Sequence, residues 1–362
     1  MPTSLPINTL KGTWTRLLDT ERLRRSSQVL SVVNQKVCIF GGEVKPREPV
    51  DNKIDIFSLQ PGTSHPHQYR YRPSRYSLTH TETTTLETKS TYTAPSPRVG
   101  SASAVINGKM YIFSGRGGTD MDAIEEAGAV WSFDPASSSW YKITPADASA
   151  AYPPARSYHC STSDDQKLFF LHAGCPAKGR LCDLWQFDVK ERTWTQLPDA
   201  PGPQRGGTSI AHSNGKLFRM NGFDGTTEVG GSIDIFDISS NTWSTKTFNA
   251  DGNDGPEARS VCILLPVRLA RKDKLITLFG ERDPSSLGHA GAGKMLNDAW
   301  IYDISENWWT KLHPTGSDGV PDPRGWFDAD VVKAETGNDS VVIHGGLGEN
   351  NERLMDVWHL TF

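Results

Sequence analysis

The chain has 362 residues, 36% of them hydrophobic, and a formal net charge of -4. That length supports a substantial core, and the slightly acidic balance excludes the basic footprint of a nucleic-acid or membrane-surface binder. No stretch approaches the roughly 18 consecutive apolar residues of a membrane-spanning helix.

Residues 1–11 lack the charged-then-apolar order of a secretory signal. Five cysteines (Cys38, Cys160, Cys175, Cys182 and Cys262) are an odd number with no disulfide framework, so a reduced, cytoplasmic protein is expected.

In chain order, the first expected element is a tryptophan strand, Thr13-Trp14-Thr15-Arg16-Leu17, that belongs to no complete unit of its own. Six copies of one pattern follow: an apolar strand ending in one or two glycines, an aromatic strand, then usually a tryptophan. The first copy reads Val37-Cys38-Ile39-Phe40-Gly41-Gly42 and Ile54-Asp55-Ile56-Phe57. The second has Tyr111-Ile112-Phe113-Ser114-Gly115, Val130-Trp131-Ser132-Phe133 and Trp140. The third has Phe169-Phe170-Leu171-His172-Ala173-Gly174, Leu184-Trp185-Gln186-Phe187 and Trp194. The fourth has Leu217-Phe218-Arg219-Met220-Asn221-Gly222, Ile233-Asp234-Ile235-Phe236 and Trp243. The fifth has Ile276-Thr277-Leu278-Phe279-Gly280, Ala299-Trp300-Ile301-Tyr302 and Trp309. The sixth has Val341-Val342-Ile343-His344-Gly345-Gly346 and Val357-Trp358-His359-Leu360, and ends without its tryptophan strand.

A repeat of about 50 residues made of short strands predicts an all-β, six-bladed kelch β-propeller spanning residues 1–362 as one domain. The N-terminal strand is expected to complete the last blade, which removes an exposed edge. Within the first copy, residues 60–96 break the pattern with a polar insertion or lid loop, holding at most one outer strand around Leu86 to Tyr92. Its His65 and His67 could bind metal, but a surface accident is the commoner origin of such a pair.

An arginine heads every copy: Arg25 (or its neighbour Arg24), Arg98, Arg156, Arg205, Arg259 and Arg324. These arginines have two readings. They form a ring that binds an anionic substrate at the channel mouth, or each pairs with an acid and caps backbone carbonyls between blades. His159 is expected on an inward-facing strand, and Glu43 as a rim acid or arginine partner. Cys175 and Cys182 are expected to pack at strand ends or in a blade loop.

The fifth copy carries a loop that the others lack, 281–293, with Glu281, Asp283 and His289 among Gly288, Gly291 and Gly293. Three ligands of carboxylate and imidazole type are the composition of a non-haem Fe(II) site with open positions, and oxygen and nitrogen donors suit Mn(II) or Zn(II) as well. The alternative is a polar loop whose acids cap turns.

The loop resembles that of the plant specifier proteins, the nitrile-specifier, epithiospecifier and thiocyanate-forming kelch proteins. The resemblance rests on Gly280-Glu281, Asp283-Pro284, His289 and Gly291-Ala292-Gly293, and on Pro323-Arg324-Gly325-Trp326 in the last copy. The Glu-to-His spacing matches that family, and the Asp stands two positions early. The resemblance implies Fe(II) held by Glu281, Asp283 and His289, which would then be the catalytic residues. It also implies a sulfated thiohydroximate, formed from a glucosinolate, held by Arg98, Arg156 and Trp326, and lyase chemistry that releases sulfur. The competing expectation is a non-catalytic interaction domain that offers a positive mouth to an acidic partner.

Overall fold

The structure is a computed structural model and describes residues 10–59, 84–86, 94–288 and 291–362. Most of the 60–96 insertion, with His65 and His67, lies outside the described residues, as does His289.

Short strands rich in β-branched and aromatic residues alternate with tight turns, and among the described residues they assemble as six antiparallel sheets of four or five strands, with two two-stranded ribbons beside them. The inner strands are Ser26–Val33, Ala102–Ile106, Cys160–Ser163, Ser209–Ser213, Ile263–Leu269 and Asp328–Val332. Each touches the inner strand of the next blade, and the last touches the first, so the ring is closed. Inner hairpins turn through residues in the left-handed region, as at Asn107-Gly108 and Asn214-Gly215. Outer hairpins turn at Asp134, Asp188, Asp237 and Asp303, whose carboxylates accept the N–H two residues on.

The last blade closes as the sequence predicts. Thr13–Asp19 pairs antiparallel with Asp356–Thr361, with Trp14 opposite Leu360, and becomes the outer strand of blade six. The outer strand of blade one is found at Thr84–Leu86, paired with Ile54–Ser58 and slightly earlier than expected.

The tryptophans do what their spacing suggests. Trp140 packs with Phe40 and Val29 of blade one, Trp194 with Phe113 of blade two, and Trp309 with Phe218 and Met220 of blade four. Trp14 stacks on Phe279 of blade five. The outer strand of each of these blades is thereby fastened to the blade before it, which ties the periphery of the ring together.

The centre is tied by backbone. Two residues after each strand-head arginine, the chain enters the left-handed region at Ser27, Gly100, Tyr158, Gly207, Val261 and Trp326. Each of these donates its N–H to the carbonyl of its counterpart in the preceding blade. Ser27 donates to Trp326 at 2.8 Å, Gly100 to Ser27 at 2.9, Tyr158 to Gly100 at 2.7, Gly207 to Tyr158 at 2.8, Val261 to Gly207 at 2.8 and Trp326 to Val261 at 3.1 Å.

A second ring lies beside the first. Gly42, Gly115, Gly174, Gly222, Gly280 and Gly346 donate to the carbonyls of Arg98, Arg156, Arg205, Arg259, Arg324 and Arg25 at 2.8–3.0 Å. The strand-end glycines therefore serve close approach between blades as well as a turn. A Cβ on Gly174, where φ is +98°, would stand 2.7 Å from the His159 Cβ and 2.9 Å from its backbone.

Gly174→Ala is accordingly expected to cost about 3 kcal/mol or more. Gly179→Ala, at φ +76° but with open space around it, should cost about 1 kcal/mol. Urea titrations of the two variants check this, and equal losses would contradict a packing role for Gly174.

Candidate functional site

The six strand-head arginines are scaffold. Arg25, Arg156, Arg259 and Arg324 are fully buried, and Arg98 and Arg205 nearly so. Each donates through Nη1 to the carbonyl just before its blade's ring glycine: Gly41, Ser114, Ala173, Asn221, Phe279 and Gly345. That carbonyl ends a residue in the left-handed region in every blade.

Five of the six also hold a carboxylate. Arg25 pairs with Asp55 at 2.7 Å, Arg98 with Glu126 at 3.0, Arg156 with Asp183 at 2.6, Arg259 with Asp298 at 2.5 and Arg324 with Asp356 at 2.7 Å. In blades two, three, five and six, the acid also accepts the indole N–H of the neighbouring third-strand tryptophan. The reading of Arg25, Arg98, Arg156, Arg205 and Arg259 as a substrate-binding ring is therefore corrected. Their guanidiniums are turned into the blades, where Arg25, Arg98, Arg156 and Arg259 each meet an acid, the alternative that the sequence left open, while Arg205 meets only carbonyls.

The mouth is built one residue past each ring glycine. At that register stand Glu43, Arg116, Cys175, Phe223, Glu281 and Leu347, each bridged to the entrance of its own inner strand. This position differs from blade to blade while the scaffold repeats, so it is where function can be written. Glu43 is used internally: it pairs with Arg353 at 2.9 Å and accepts the Arg47 N–H.

Glu281 is the most perturbed acid at the mouth. Only 4% exposed, it accepts the Gly293 N–H at 2.6 Å, which pins the two ends of the fifth-blade loop together. Burial pushes its pKa up to about 7, and the nearby Glu228 charge adds to that rise. Glu228 is itself raised, by burial first and then by Asp283, and its Oε1 is buried without a partner.

Asp283 sits in the left-handed region. Its side chain is 72% exposed and pairs with Arg282 at 3.2 Å. Arg282 in turn contacts Glu257. Among the described residues no three His, Cys, Asp or Glu side chains form a metal-ready group.

Arg116 and Arg180 were missed in the sequence. Arg116 spends its donors on Ser157 Oγ, Met121 O and Pro176 O. Arg180 lies 4.9 Å over the Phe223 ring. Both are half-buried, and neither pairs with a carboxylate among the described residues. Arg116 was findable, because it shares the register of Glu281. Arg180 and Glu228 lie in connections of irregular length, where the repeat gives no register.

Beneath the mouth runs a cavity of about 510 Å³, lined at its top by the ring residues Tyr158, Val261 and Trp326. Trp326 adopts a left-handed conformation there (φ 51°). Burial, and then the charge of Glu43, push the Tyr158 phenol up. His159 lies in the wall just below. Burial, and then the Arg156 charge, lower its pKa to about 3, which keeps the imidazole neutral. Deeper in the channel, Asp328 and Asp330 accept the Leu30 and Val32 N–H groups of blade one at 2.6 and 2.7 Å.

Fold and site together define a kelch-type β-propeller with a charge-divided mouth over a polar channel. The chain belongs to the kelch-repeat family, since residues 27–280 match the KLHDC2/KLHL20/DRC7 Kelch-repeats domain. It is similar to N-(sulfonatooxy)prop-2-enimidothioate sulfolyase of Thlaspi arvense, at 26% identity with 97% of each chain covered. It also matches the leucine-zipper-like transcriptional regulator 1 homolog of Drosophila melanogaster at 24% identity, over 75% of this chain and 26% of that protein. The solved structure of YjhT shares the fold, with a TM-score of 0.65 at 15% identity over 94% of this chain and 95% of that one. Among the described residues, no helix is long and apolar enough to cross a membrane.

Arg156→Ala strands the Asp183 carboxylate inside a blade and should cost about 3–5 kcal/mol. Arg116→Ala should cost about 1 kcal/mol or less. Denaturant midpoints separate the two, and comparable losses would contradict the division between scaffold and mouth arginines.

Proposed function

We propose that the chain is a small-molecule lyase of specifier type, acting at the propeller mouth on an anionic, sulfated substrate. The observation that carries this reading is the division of charge around the mouth. Arg116 and Arg180 lie on blades two and three, and Glu228, Glu281 and Asp283 on blades four and five.

A sulfate ester needs donors that are not already committed to a carboxylate, and Arg116 and Arg180 meet that need where the strand-head arginines do not. Phe223, half-buried under Arg180, and Trp326, at the top of the channel, supply apolar surface for a substrate's side chain. Similarity over 97% of the chain to a protein named as a sulfolyase of an N-(sulfonatooxy) imidothioate supports the same substrate class.

Buried Glu281, raised further by the Glu228 charge, favours a cation beside it. A divalent metal, Fe(II) by preference, would be held by Glu281, Asp283 and His289. It would supply coordination of the thiolate sulfur and so weaken the C–S bond. Around it, the chain's own residues hold the sulfate at Arg116 and Arg180, press the apolar side chain against Trp326, and shield the reacting group from water. The neutral imidazole of His159 adds no charge to the channel below.

The test generates the sulfated thiohydroximate from an allyl glucosinolate with a β-thioglucosidase and Fe(II), and reads nitrile and thiocyanate by gas chromatography. Wild-type protein should divert product away from the spontaneous isothiocyanate. Arg116→Ala, Arg180→Ala, Glu281→Ala and His289→Ala should each lower that diversion by about 10-fold or more. Metal analysis of the last two variants should show lost iron. A product mixture unchanged by the wild-type protein would overturn the reading. Capture of an acidic peptide at the same mouth would replace it with the interaction-domain alternative.

A further inference from the structure

Among the described residues, blade four is the one blade whose strand-head arginine holds no carboxylate. By register across the second and third strands, Leu171 faces Trp185, Thr277 faces Trp300, Ile343 faces Trp358, and Arg219 faces Asp234. Asp234 therefore stands at the tryptophan position. Two residues earlier, where blades three, five and six place Asp183, Asp298 and Asp356, blade four has Ser232.

Asp234 pairs with Arg219 at 3.4 Å and accepts the Thr245 hydroxyl. The strand-head Arg205 is left without a carboxylate. Among the described residues its guanidinium donates only to the Pro203 and Asn221 carbonyls, through Nε and Nη1.

Blade one shows the contrast. There too the acid sits at the tryptophan position, as Asp55, but two guanidiniums, Arg22 and Arg25, share two carboxylates, Asp51 and Asp55. Blade four buries two guanidiniums against one. Arg219 is fully buried, with Nε and Nη1 lacking hydrogen-bond partners. Burial, and then the Arg219 charge, lower Arg205 to about 10. Two buried cations with one counter-charge are a costly arrangement, and a mobile anion relieves it.

We infer that a small planar oxoanion, a carboxylate or bicarbonate, occupies the place beside Ser232 that an aspartate fills in blades three, five and six, where it is forked by Arg205. The missing carboxylate defines its shape and charge. In the other blades the corresponding acids Asp183, Asp298 and Asp356 keep 11–13% of their side-chain surface exposed, so the position is reachable from solvent. The site is separate from the mouth and stabilises the seam between blades three and four.

Thermal unfolding in formate against chloride at equal ionic strength tests this. Wild-type protein should gain at least about 3 °C in saturating formate. Ser232→Asp supplies its own carboxylate, so it should unfold high in chloride and ignore formate. Arg205→Gln should also ignore formate, and it decides the matter should Ser232→Asp fail to fold. A wild-type chain indifferent to formate, or an equal formate gain in the wild type and in the variant used, would overturn the inference.

Discussion

Six backbone N–H groups donate head to tail around the axis of this propeller, and the mouth depends on them. A closed cycle of aligned amides leaves no terminal donor or acceptor, and each bond polarises the next. The cycle requires every contributor to adopt positive φ. Gly100 and Gly207 do so freely, whereas Tyr158, Val261 and Trp326 bear a strain of order 1 kcal/mol or more each. Val261, β-branched at φ 47°, is the costliest kind of residue to place there. Large side chains are nevertheless retained at three ring positions, and all three line the top of the channel. That retention points to a use for those side chains at the mouth.

The arginine lock follows from the ring. Each strand-head arginine lends its backbone carbonyl to the second amide ring and sends its guanidinium outward into its blade, to a strand-end carbonyl and usually an acid. One residue thus joins the axis to the third strand. Burying a cation this way is tolerable only with a counter-charge at hand, which is why five blades carry a paired acid and why blade four stands out. A repeat with such internal constraints frees few positions. The register just past the ring glycine is one of them, and it holds Glu43, Arg116, Cys175, Phe223, Glu281 and Leu347.

Most of the fold was legible because it is repetitive. Strand-end glycines, aromatic strands and tryptophans recur at fixed offsets, so blade number, and closure by Thr13–Asp19, could be read directly. The arginines were legible as a set and ambiguous as a function, because the partners Glu126, Asp183, Asp298 and Asp356 lie 27–39 residues downstream. Their pairing is a property of the folded blade, and local spacing does not express it. Glu281 was found because it sits in an odd loop. Arg180 and Glu228 were not found, since only the folded mouth brings those irregular loops together. The expected partnership of Asp283 with Glu281 took a different form: Glu281 turns inward to Gly293, while Asp283 faces solvent beside Arg282.

Native-state hydrogen exchange at the ring amides tests the central claim most directly. If the cycle holds the blades together, the amides of Ser27, Gly100, Tyr158, Gly207, Val261 and Trp326 should exchange only through global unfolding. All six should then report one common free energy that matches the denaturant value. Exchange of any of them at a markedly lower free energy, independently of its neighbours, would show that the mouth opens locally and would contradict the account.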